Sequence, residues 1–398
     1  MSYPKVPIGE LVSLRQGFAI NKNTKHHISD EPTVLPLLRI ADMKDKVQNV
    51  FVKDTIPAHF IAKPEDIIYT RTGQVGLVFT DQYGVIHNNC FTVTPNDAET
   101  LDRYYLYYVL QGEDFYTAAN NLASGAAQPD LPHGAFRSIE IPVPPIVAQK
   151  RIAQILKSYD DLVENNQKQI KLLEEAAQRL YKEWFVDLRF PGHEATPITD
   201  GIPEGWAEKS MEDICDSIGG GTPSTKNDEY YRDGKIKWVT PTDITRKNGL
   251  ILLDTEKKIT VEGLQHSSAK MVPPYTILMT SRASVGFFGL CKHEVCTNQG
   301  FISCVPFKEN VRFFLLYNLM NRVDEIRGKA SGSTFLEISK KNFRGLRVIL
   351  PSDNVLDAFA AVVHPVVLQM EKLTESIAVL QEARDRLLPK LMNGEIEV

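Results

Sequence analysis

One helical pattern occurs twice in this chain. Residues 170–181 read IKLLEEAAQRLY and residues 377–388 read IAVLQEARDRLL, 207 positions later and without a gap. Apolar residues recur in steps of three and four through both stretches, which is the period of an amphipathic α-helix. Self-similarity at a fixed offset predicts an internal duplication.

The duplication extends upstream of the helix. DIIYTRTGQVGLVF (66–79) aligns with PYTILMTSRASVGFFG (274–289), and ASGAAQPDLPHGAFRSIEIPVP (123–144) aligns with ASGSTFLEISKKNFRGLRVILP (330–351). Short apolar alternations separated by Gly turns predict strands, and stretches with helical spacing lie between them. Each repeat is therefore predicted to be a mixed α/β globular part that ends at a proline and continues into one long helix.

The predicted organisation follows from these boundaries. The fold class is mixed α/β (α+β), with two similar globular domains at 1–145 and 206–351. A first long helix occupies 146–186, a Gly- and Pro-rich linker occupies 187–205, and 352–398 hold the second helix and the C-terminal tail.

The two long helices carry the apolar seam of a coiled coil. Because the first helix delivers the chain to the second domain, a helix that pairs with it must run back, so we expect an antiparallel pair with approximate two-fold symmetry. A helix of 35 to 40 residues is about 55 Å long. Pro365 and Pro389 predict that the second helix is kinked or shortened. The predicted seam residues are Ile152, Leu156, Tyr159, Val163, Asn166, Ile170, Leu173 and Leu180 in the first helix, and Phe359, Val363, Met370, Leu373, Ile377, Leu380 and Leu387 in the second. The alternative is a pair of ordinary core helices.

Composition limits the function classes. The chain has 398 residues with 45 basic and 50 acidic side chains, a formal charge of -5, so any site for a polyanion has to be local. The five cysteines form no Cys-x-x-Cys pair, which is typical of reduced thiols, and no apolar run is long enough for a membrane span. We therefore expect a cytoplasmic protein with no membrane partner.

No catalytic or metal motif is complete. VPPY at Val272 is similar to the Asn/Asp-Pro-Pro-Tyr motif of amino-methyltransferases, but valine cannot hold a target amine by a hydrogen bond. GGGT at Gly219 lacks the rest of a phosphate-binding loop. The spacing of Cys291, His293 and Cys296 fits no standard zinc site. We expect no catalytic residue, no metal and no cofactor in this chain.

Several fragments carry a resemblance to a known family. They are IPVPPIVAQKRIAQIL at 141–156, KEWFVDLRFPG at 182–192, IPEGW at 202–206, GGGTPSTKNDEYY at 219–231, ASGST at 330–334 and LLPKLMNGEIEV at 387–398. Together with the order domain, helix, domain, helix, they make the whole chain resemble the specificity subunit of type I restriction-modification enzymes. The resemblance implies a non-catalytic subunit whose two target-recognition domains read the halves of a split, asymmetric site in double-stranded DNA.

The same resemblance implies partners. It suggests docking of methyltransferase subunits, with two copies expected, and of restriction/translocase subunits. S-adenosylmethionine, ATP and Mg²⁺ would belong to those partners.

Candidate DNA contacts lie in polar loops at equivalent places of the two repeats. Phosphate contacts need Lys, Arg and small polar donors, whereas base edges are read by Arg, Asn and Gln. The segment 327–347 holds six basic side chains against one acid and is the strongest electrostatic candidate. The candidates of the first domain are Lys22, Asn23, Lys25, Thr70, Arg71, Gln74 and Ser124. Those of the second are Thr225, Lys226, Tyr230, Arg232, Ser281, Arg282, Ser284, Ser331, Ser333, Lys341 and Arg344.

Two other function classes remain open at this point. A two-lobed coiled-coil scaffold for protein partners would show no salt-dependent affinity for DNA. An enzyme that acts alone would methylate or cut DNA without partners.

Overall fold

A computed structural model describes residues 3–125, 127–246, 249–332 and 336–398. The chain forms two compact units, one of residues 1–162 and 379–398 and the other of residues 163–378. Each unit contains one globular lobe and a part of each long helix. We call the lobe at 3–145 lobe 1 and the lobe at 206–351 lobe 2.

The first unit alternates short strands with helices. Its strands are β1 (Lys5–Pro7), β2 (Val12–Gln16), β3 (Ile28–Ser29), β4 (Leu37–Leu38), β5 (Phe51–Val52), β6 (Ile61–Ala62), β7 (Ile67–Thr70), β8 (Val78–Phe79), β9 (Gly84–Ile86), β10 (Cys90–Pro95) and β11 (Glu140–Pro142). Its helices are α1 (Ile8–Leu11), α2 (Ile40–Asp45), α3 (Arg103–Gln111), α4 (Glu113–Leu122), α5 (His133–Arg137) and the long α6 (Ile146–Tyr181), which continues into the second unit.

The second unit repeats most of this order. Its strands are β12 (Ile198–Thr199), β13 (Ile202–Pro203), β14 (Ala207–Ser210), β15 (Cys215–Gly219), β16 (Ile236–Val239), β17 (Lys258–Ile259), β18 (Met271–Val272), β19 (Ile277–Thr280), β20 (Phe288–Gly289), β21 (Val295–Thr297), β22 (Phe301–Pro306) and β23 (Arg347–Leu350). Its helices are α7 (Met211–Ile214), α8 (Pro241–Thr245), α9 (Val261–Gln265), α10 (Val311–Asn321), α11 (Val323–Gly328), α12 (Lys340–Arg344) and the long α13 (Asp353–Met392), which ends in the first unit.

The same two sheets occur in both lobes. The main sheet is antiparallel, with the order β2-β10-β7-β8 in lobe 1 and β15-β22-β19-β20 in lobe 2. The smaller sheet contains one parallel pair in each lobe, β4 with β9 and β16 with β21. The predicted mixed α/β duplication is therefore confirmed at the level of strand order.

A glycine marks the same close approach in each repeat. A side chain at Gly17 would overlap the carbonyl oxygen of His87, and one at Gly220 would overlap that of Thr297. Only glycine lets the chain pass the neighbouring backbone at this distance.

Aromatic side chains fill the core of lobe 1 between the main sheet and its helices. Tyr69 of β7 stacks on Phe91 of β10 at 5.6 Å between ring centroids, and Phe136 of α5 lies 5.0 Å from each ring. All three are fully buried. Burial of side chains of this size contributes strongly to the stability of a lobe.

The long helices pair in an antiparallel way within each unit. In the second unit, Asn166 of α6 donates a hydrogen bond to Ser376 of α13 at 3.2 Å, and Tyr181 lies beside Phe359. Residue numbers thus rise along one helix while they fall along the other. None of the predicted seam side chains is exposed.

The prolines do not shorten the second helix, and the other predicted outcome, a kink, stays a prediction. α13 runs from Asp353 to Met392 through Pro365 and Pro389. Val363 and Val367, on either side of the first proline, are fully buried. Tertiary packing of this face outweighs the loss of one backbone hydrogen bond.

Candidate nucleic-acid interface

The loop after the central strand is built in the same way in both lobes. The Thr70 hydroxyl donates to the backbone carbonyl of Gln74, and the Thr280 hydroxyl donates to that of Ser284. Each hydroxyl also accepts a hydrogen bond from the amide seven residues later, at 2.9 Å in both lobes. The polar residues between each pair are therefore held in a defined loop.

A second segment closes on this loop in lobe 1. Ser124 and Asp130 exchange backbone hydrogen bonds of 2.9 and 2.8 Å, and the Leu131 amide donates to the Arg71 carbonyl at 3.0 Å. We call the described residues of 70–76 and 124–131 tip 1. It brings together the predicted residues Thr70, Arg71, Gln74 and Ser124, which two separate stretches of sequence supply.

Lobe 2 has the equivalent arrangement. Ser331 and Glu337 exchange backbone hydrogen bonds of 2.9 and 3.0 Å, and the Ile338 amide donates to the Ser281 carbonyl at 3.0 Å. We call the described residues of 280–286 and 331–338 tip 2. It contains the predicted residues Ser281, Arg282, Ser284 and Ser331, whereas the predicted Ser333 lies outside the described residues.

Tip 1 holds its arginine firmly. Arg71 donates from Nη2 to Asp130 Oδ2 at 2.7 Å and from Nη1 to Gln16 Oε1 at 3.2 Å. The Thr72 hydroxyl donates to the other oxygen of Asp130 at 2.5 Å. Burial alone would raise the pKa of Asp130, but the hydrogen bonds from Thr72 and Arg71 outweigh burial, and the pKa lies below that of an ordinary aspartate.

Tip 2 holds its arginine loosely. Arg282 Nε lies 3.7 Å from Glu337 Oε2, which is within ion-pair range but too far for a hydrogen bond. The Arg282 side chain is 47% exposed, compared with 21% for Arg71. Its side chain is thus more accessible to a ligand than that of Arg71.

The acids at the tips were not predicted as site residues. Sites for polyanions are expected to be basic, so the sequence did not predict Asp130 and Glu337 as site residues. The repeat alignment could have identified them, since they are separated by the same 207 positions as Ser124 and Ser331. Gln16, which contacts Arg71, gave no sequence signal because it lies at the end of a strand.

A second predicted region follows the first strand of each main sheet. In lobe 1, Lys22, Asn23 and Lys25 are exposed on a loop in which the Thr24 hydroxyl donates to the Ala19 carbonyl at 2.6 Å. These cations are open to solvent and therefore accessible to a phosphate backbone.

The corresponding loop of lobe 2 carries Thr225 and Lys226, which are exposed. Tyr230 stacks on His266 with ring centroids 5.6 Å apart and planes 13° apart. Arg232 forms an exposed ion pair with Asp228. This ion pair is weak because water screens both charges, and a contact between Arg232 and DNA stays a prediction.

Two further candidates lie on α12. Lys341 is exposed. Arg344 donates from Nε to the Ser217 hydroxyl at 2.7 Å and from Nη2 to the Ser217 carbonyl at 3.3 Å. The structure thus gives Arg344 a role in fixing α12 to β15, and a contact with DNA stays a prediction for this residue.

Other chemistry is sparse in the part of the chain that the structure describes. Val272 of the VPPY stretch is buried in β18, and Tyr275 donates its hydroxyl to Glu371 Oε2 at 2.9 Å. The cysteines are free and buried, and burial raises the pKa of Cys90 and of Cys296 to about 12. Among the described residues, no cluster of three metal-ligating side chains occurs, and no helix is long and apolar enough to cross a membrane.

Comparison with known proteins identifies the family. The model of the type I restriction modification DNA specificity domain matches this chain twice, at residues 3–175 and 203–375. The chain belongs to the type I restriction-modification DNA specificity family. The first match begins in lobe 1 and the second begins three residues before lobe 2, and both extend into a long helix, in agreement with the duplication.

Relatives agree with this assignment, and a solved structure has the same fold. The chain is 26% identical to the type I restriction enzyme MjaIX specificity subunit of Methanocaldococcus jannaschii over 83% of this chain and 78% of that protein. It is 25% identical to the HindI specificity subunit of Haemophilus influenzae over 84% and 87% of the two chains. The crystal structure of a type I restriction-modification S subunit from M. genitalium superposes with a TM-score of 0.62 at 18% identity, covering 98% of this chain and 96% of that one.

Family membership decides between the function classes. The role is DNA sequence specificity, the chain is a non-catalytic subunit, and its partners are DNA and the methyltransferase and restriction subunits. A scaffold that does not bind DNA is not favoured.

Proposed function

We propose that each lobe binds one half of a bipartite, asymmetric site in double-stranded DNA, and that the tips contact the bases. The observation that carries this proposal is the pair of tips, which share one backbone frame and present different side chains. Thr72 and Gln74 of tip 1 stand where tip 2 has Arg282 and Ser284. Different side chains on one frame favour different half-sites, because hydrogen-bonding groups read base edges.

The flanking loops supply the electrostatic part of binding. Lys22 and Lys25 in lobe 1 and Lys226 and Lys341 in lobe 2 are exposed cations near the ends of the main sheets. Contacts of this kind hold a protein on the phosphate backbone without reading sequence.

The long helices are proposed to act as the spacer that sets the gap between the half-sites. α6 has 36 residues and α13 has 40, and both are continuous. An approximate two-fold relation between the repeats is part of this proposal. The same helices would dock two methyltransferase subunits and the restriction subunits, and exposed apolar side chains such as Leu172 and Val362 support a docking role.

The chain itself is proposed to need no cofactor. S-adenosylmethionine, ATP and Mg²⁺ would bind to the partner subunits, and the cytoplasm would be the site of action.

The test uses the full chain assembled with its methyltransferase subunits. Replacing residues 1–145 with the equivalent domain of a relative should change one half of the methylated sequence and leave the other half unchanged. A change in both halves would contradict independent reading by the lobes. Salt-independent affinity of the purified chain for duplex DNA would instead favour a scaffold.

A further inference from the structure

The two tips place an arginine at neighbouring positions of the same frame. Thr72 and Arg282 occupy the equivalent position, because each forms a backbone bridge, the first with Asp130 and the second with Glu337. Arg71 lies one residue earlier, where lobe 2 has the buried Ser281. Side chains of consecutive residues in extended backbone point to opposite faces. The two arginines therefore leave the frame from neighbouring positions, although each lies beside the acid of its own tip, Asp130 or Glu337.

The arginine of lobe 1, Arg71, is held by contacts within the protein. Its guanidinium contacts Asp130 and Gln16, and its Nε is buried without a hydrogen-bond partner. Reading a base with Arg71 would require breaking both contacts. Its role in lobe 1 is to join the end of β2, the loop after β7 and the loop before α5.

The arginine of lobe 2 is available. Arg282 is half exposed, and the Glu337 carboxylate lies at ion-pair distance without a hydrogen bond. Exposed ion pairs contribute little to stability, so Arg282 can leave or share Glu337 at small cost.

The acid beside Arg282 favours a base over a phosphate as its ligand. A carboxylate 3.7 Å from the guanidinium would repel an incoming phosphate. A G·C base pair instead presents two acceptors on guanine and one amino donor on cytosine in the major groove, which match an arginine and a glutamate respectively. The Arg282 and Glu337 side chains are both about half exposed and so are both open to a base pair.

We propose that Arg282 and Glu337 together read one G·C base pair in the half-site of lobe 2, whereas Arg71 is a structural residue of lobe 1. Arg282 would donate to guanine, and Glu337 would accept from cytosine and orient the guanidinium. This inference rests on the proposed function, because it requires that tip 2 enters the major groove.

The experiment compares the full-length wild type with Arg282→Lys, Glu337→Gln and Arg71→Lys on a library of randomised DNA duplexes, with sequencing of the bound fraction. Arg282→Lys keeps the charge but loses the planar fork. It should lower the preference for guanine at one position of one half-site by roughly 5- to 100-fold. The salt dependence of binding should stay unchanged because the number of cations is unchanged.

Glu337→Gln should relax the same base pair and raise the affinity for non-specific DNA, since it removes a negative charge from the interface. A merely structural role for Glu337 would not produce this combination. Arg71→Lys is the matched control, and the half-site of lobe 2 should stay unchanged in it.

The inference is overturned if Arg282→Lys selects the wild-type sequence, or if it weakens binding equally on all sequences, as a phosphate contact would. In either case the wild type still selects a bipartite sequence and the proposed function stands. If the wild type selects no sequence, the proposed function fails together with the inference.

Discussion

The two units have the same architecture and fill it with different side chains. Tyr181 at the end of α6 packs on lobe 2 together with Trp184 and Phe185 just after the helix. The equivalent positions of α13, which pack on lobe 1, are Leu388, Leu391 and Met392. Phe185 lies 4.9 Å from the rings of both Phe314 and Phe359. Leu391 is 1% exposed. The comparison teaches that the repeat preserves which positions are buried rather than which residues occupy them.

Residue identity also differs at one polar contact between the helices. In the first unit, Arg384 of α13 forms a hydrogen bond with Asp160 Oδ1 of α6, and Tyr108 of lobe 1 donates its hydroxyl to Asp160 Oδ2 at 2.7 Å. The positions equivalent to Asp160 and Arg384 in the second unit are Val367 and Ala177, both buried in one apolar core. An ion pair and an apolar pair thus occupy matching places, and replacement of the former by the latter is often energetically neutral.

The largest effect is expected from substitutions at the C-terminal ends of α6 and α13. They test whether each helix end stabilises the unit that contains it. Tyr181→Ala should lower the free energy of unfolding by about 3–5 kcal/mol and Leu391→Ala by about 2–5 kcal/mol, because each leaves a cavity in a closed core. Hydrogen exchange resolved by segment should place the first loss in the second unit and the second loss in the first unit. Leu172→Ala is the control, since Leu172 is 64% exposed and its removal should change stability by less than about 0.5 kcal/mol. Loss of protection in the opposite unit would contradict separate cores.

A smaller loss of stability is expected from substitutions in the Asp160–Arg384 ion pair. Asp160→Val alone should cost about 1–3 kcal/mol, because it leaves the Tyr108 hydroxyl without its acceptor and leaves the partly buried Arg384 with Asp385 as its remaining acidic partner. Adding Arg384→Ala should recover more than half of this loss, since the pair then has the side chains of the second unit. Thermal unfolding of both variants measures this coupling.

Asp161→Asn provides the control for this pair. Asp161 binds Lys157 at 2.6 Å in an exposed contact, so its substitution should cost less than about 1 kcal/mol. If the losses of stability in the double variant were strictly additive, the first unit would not tolerate replacement of its ion pair by an apolar pair.

The smallest effect concerns the two tips. The pKa of Asp130 is lowered in the folded protein, so its ionised form stabilises the fold above the unfolded pKa of about 3.9, and this contribution is lost as the pH falls through the folded value. Asp130→Asn should therefore reduce stability at pH 7, by less than about 1 kcal/mol because the carboxylate is partly exposed, and the difference from the wild type should shrink as the pH falls below the unfolded pKa and vanish below the folded one. Denaturant unfolding between pH 7 and pH 3 measures it.

Glu337→Gln is the matched variant in tip 2. It should change stability less than Asp130→Asn at pH 7, because its contact with Arg282 is 3.7 Å long and makes no hydrogen bond. An equal or larger loss would contradict the contrast between a fixed and a loose arginine.

Much of the fold could be predicted from local signals. The helical period and the equal offset between repeats predicted the long helices, the α/β lobes and the antiparallel pairing. Pro365 does not shorten α13, which was one of its two predicted outcomes, because the buried face of α13 supports the helix although local propensity penalises proline there. Arg344 looked like a free cation in a basic segment, and only its contact with Ser217, 127 positions earlier, shows that it is engaged in the fold.

The sequence by itself determined the duplication, the burial pattern of each helix and the family, because these depend on periodicity and on residue identity along a continuous stretch. The tertiary structure alone decided which loops meet. Arg71 is held by Asp130 and Gln16, which lie 59 and 55 positions away, whereas among the described residues Arg282 has one loose acidic partner, Glu337. Contacts over such separations depend on how strands bring loops together and on the direction of each side chain, and neither is encoded in the local pattern.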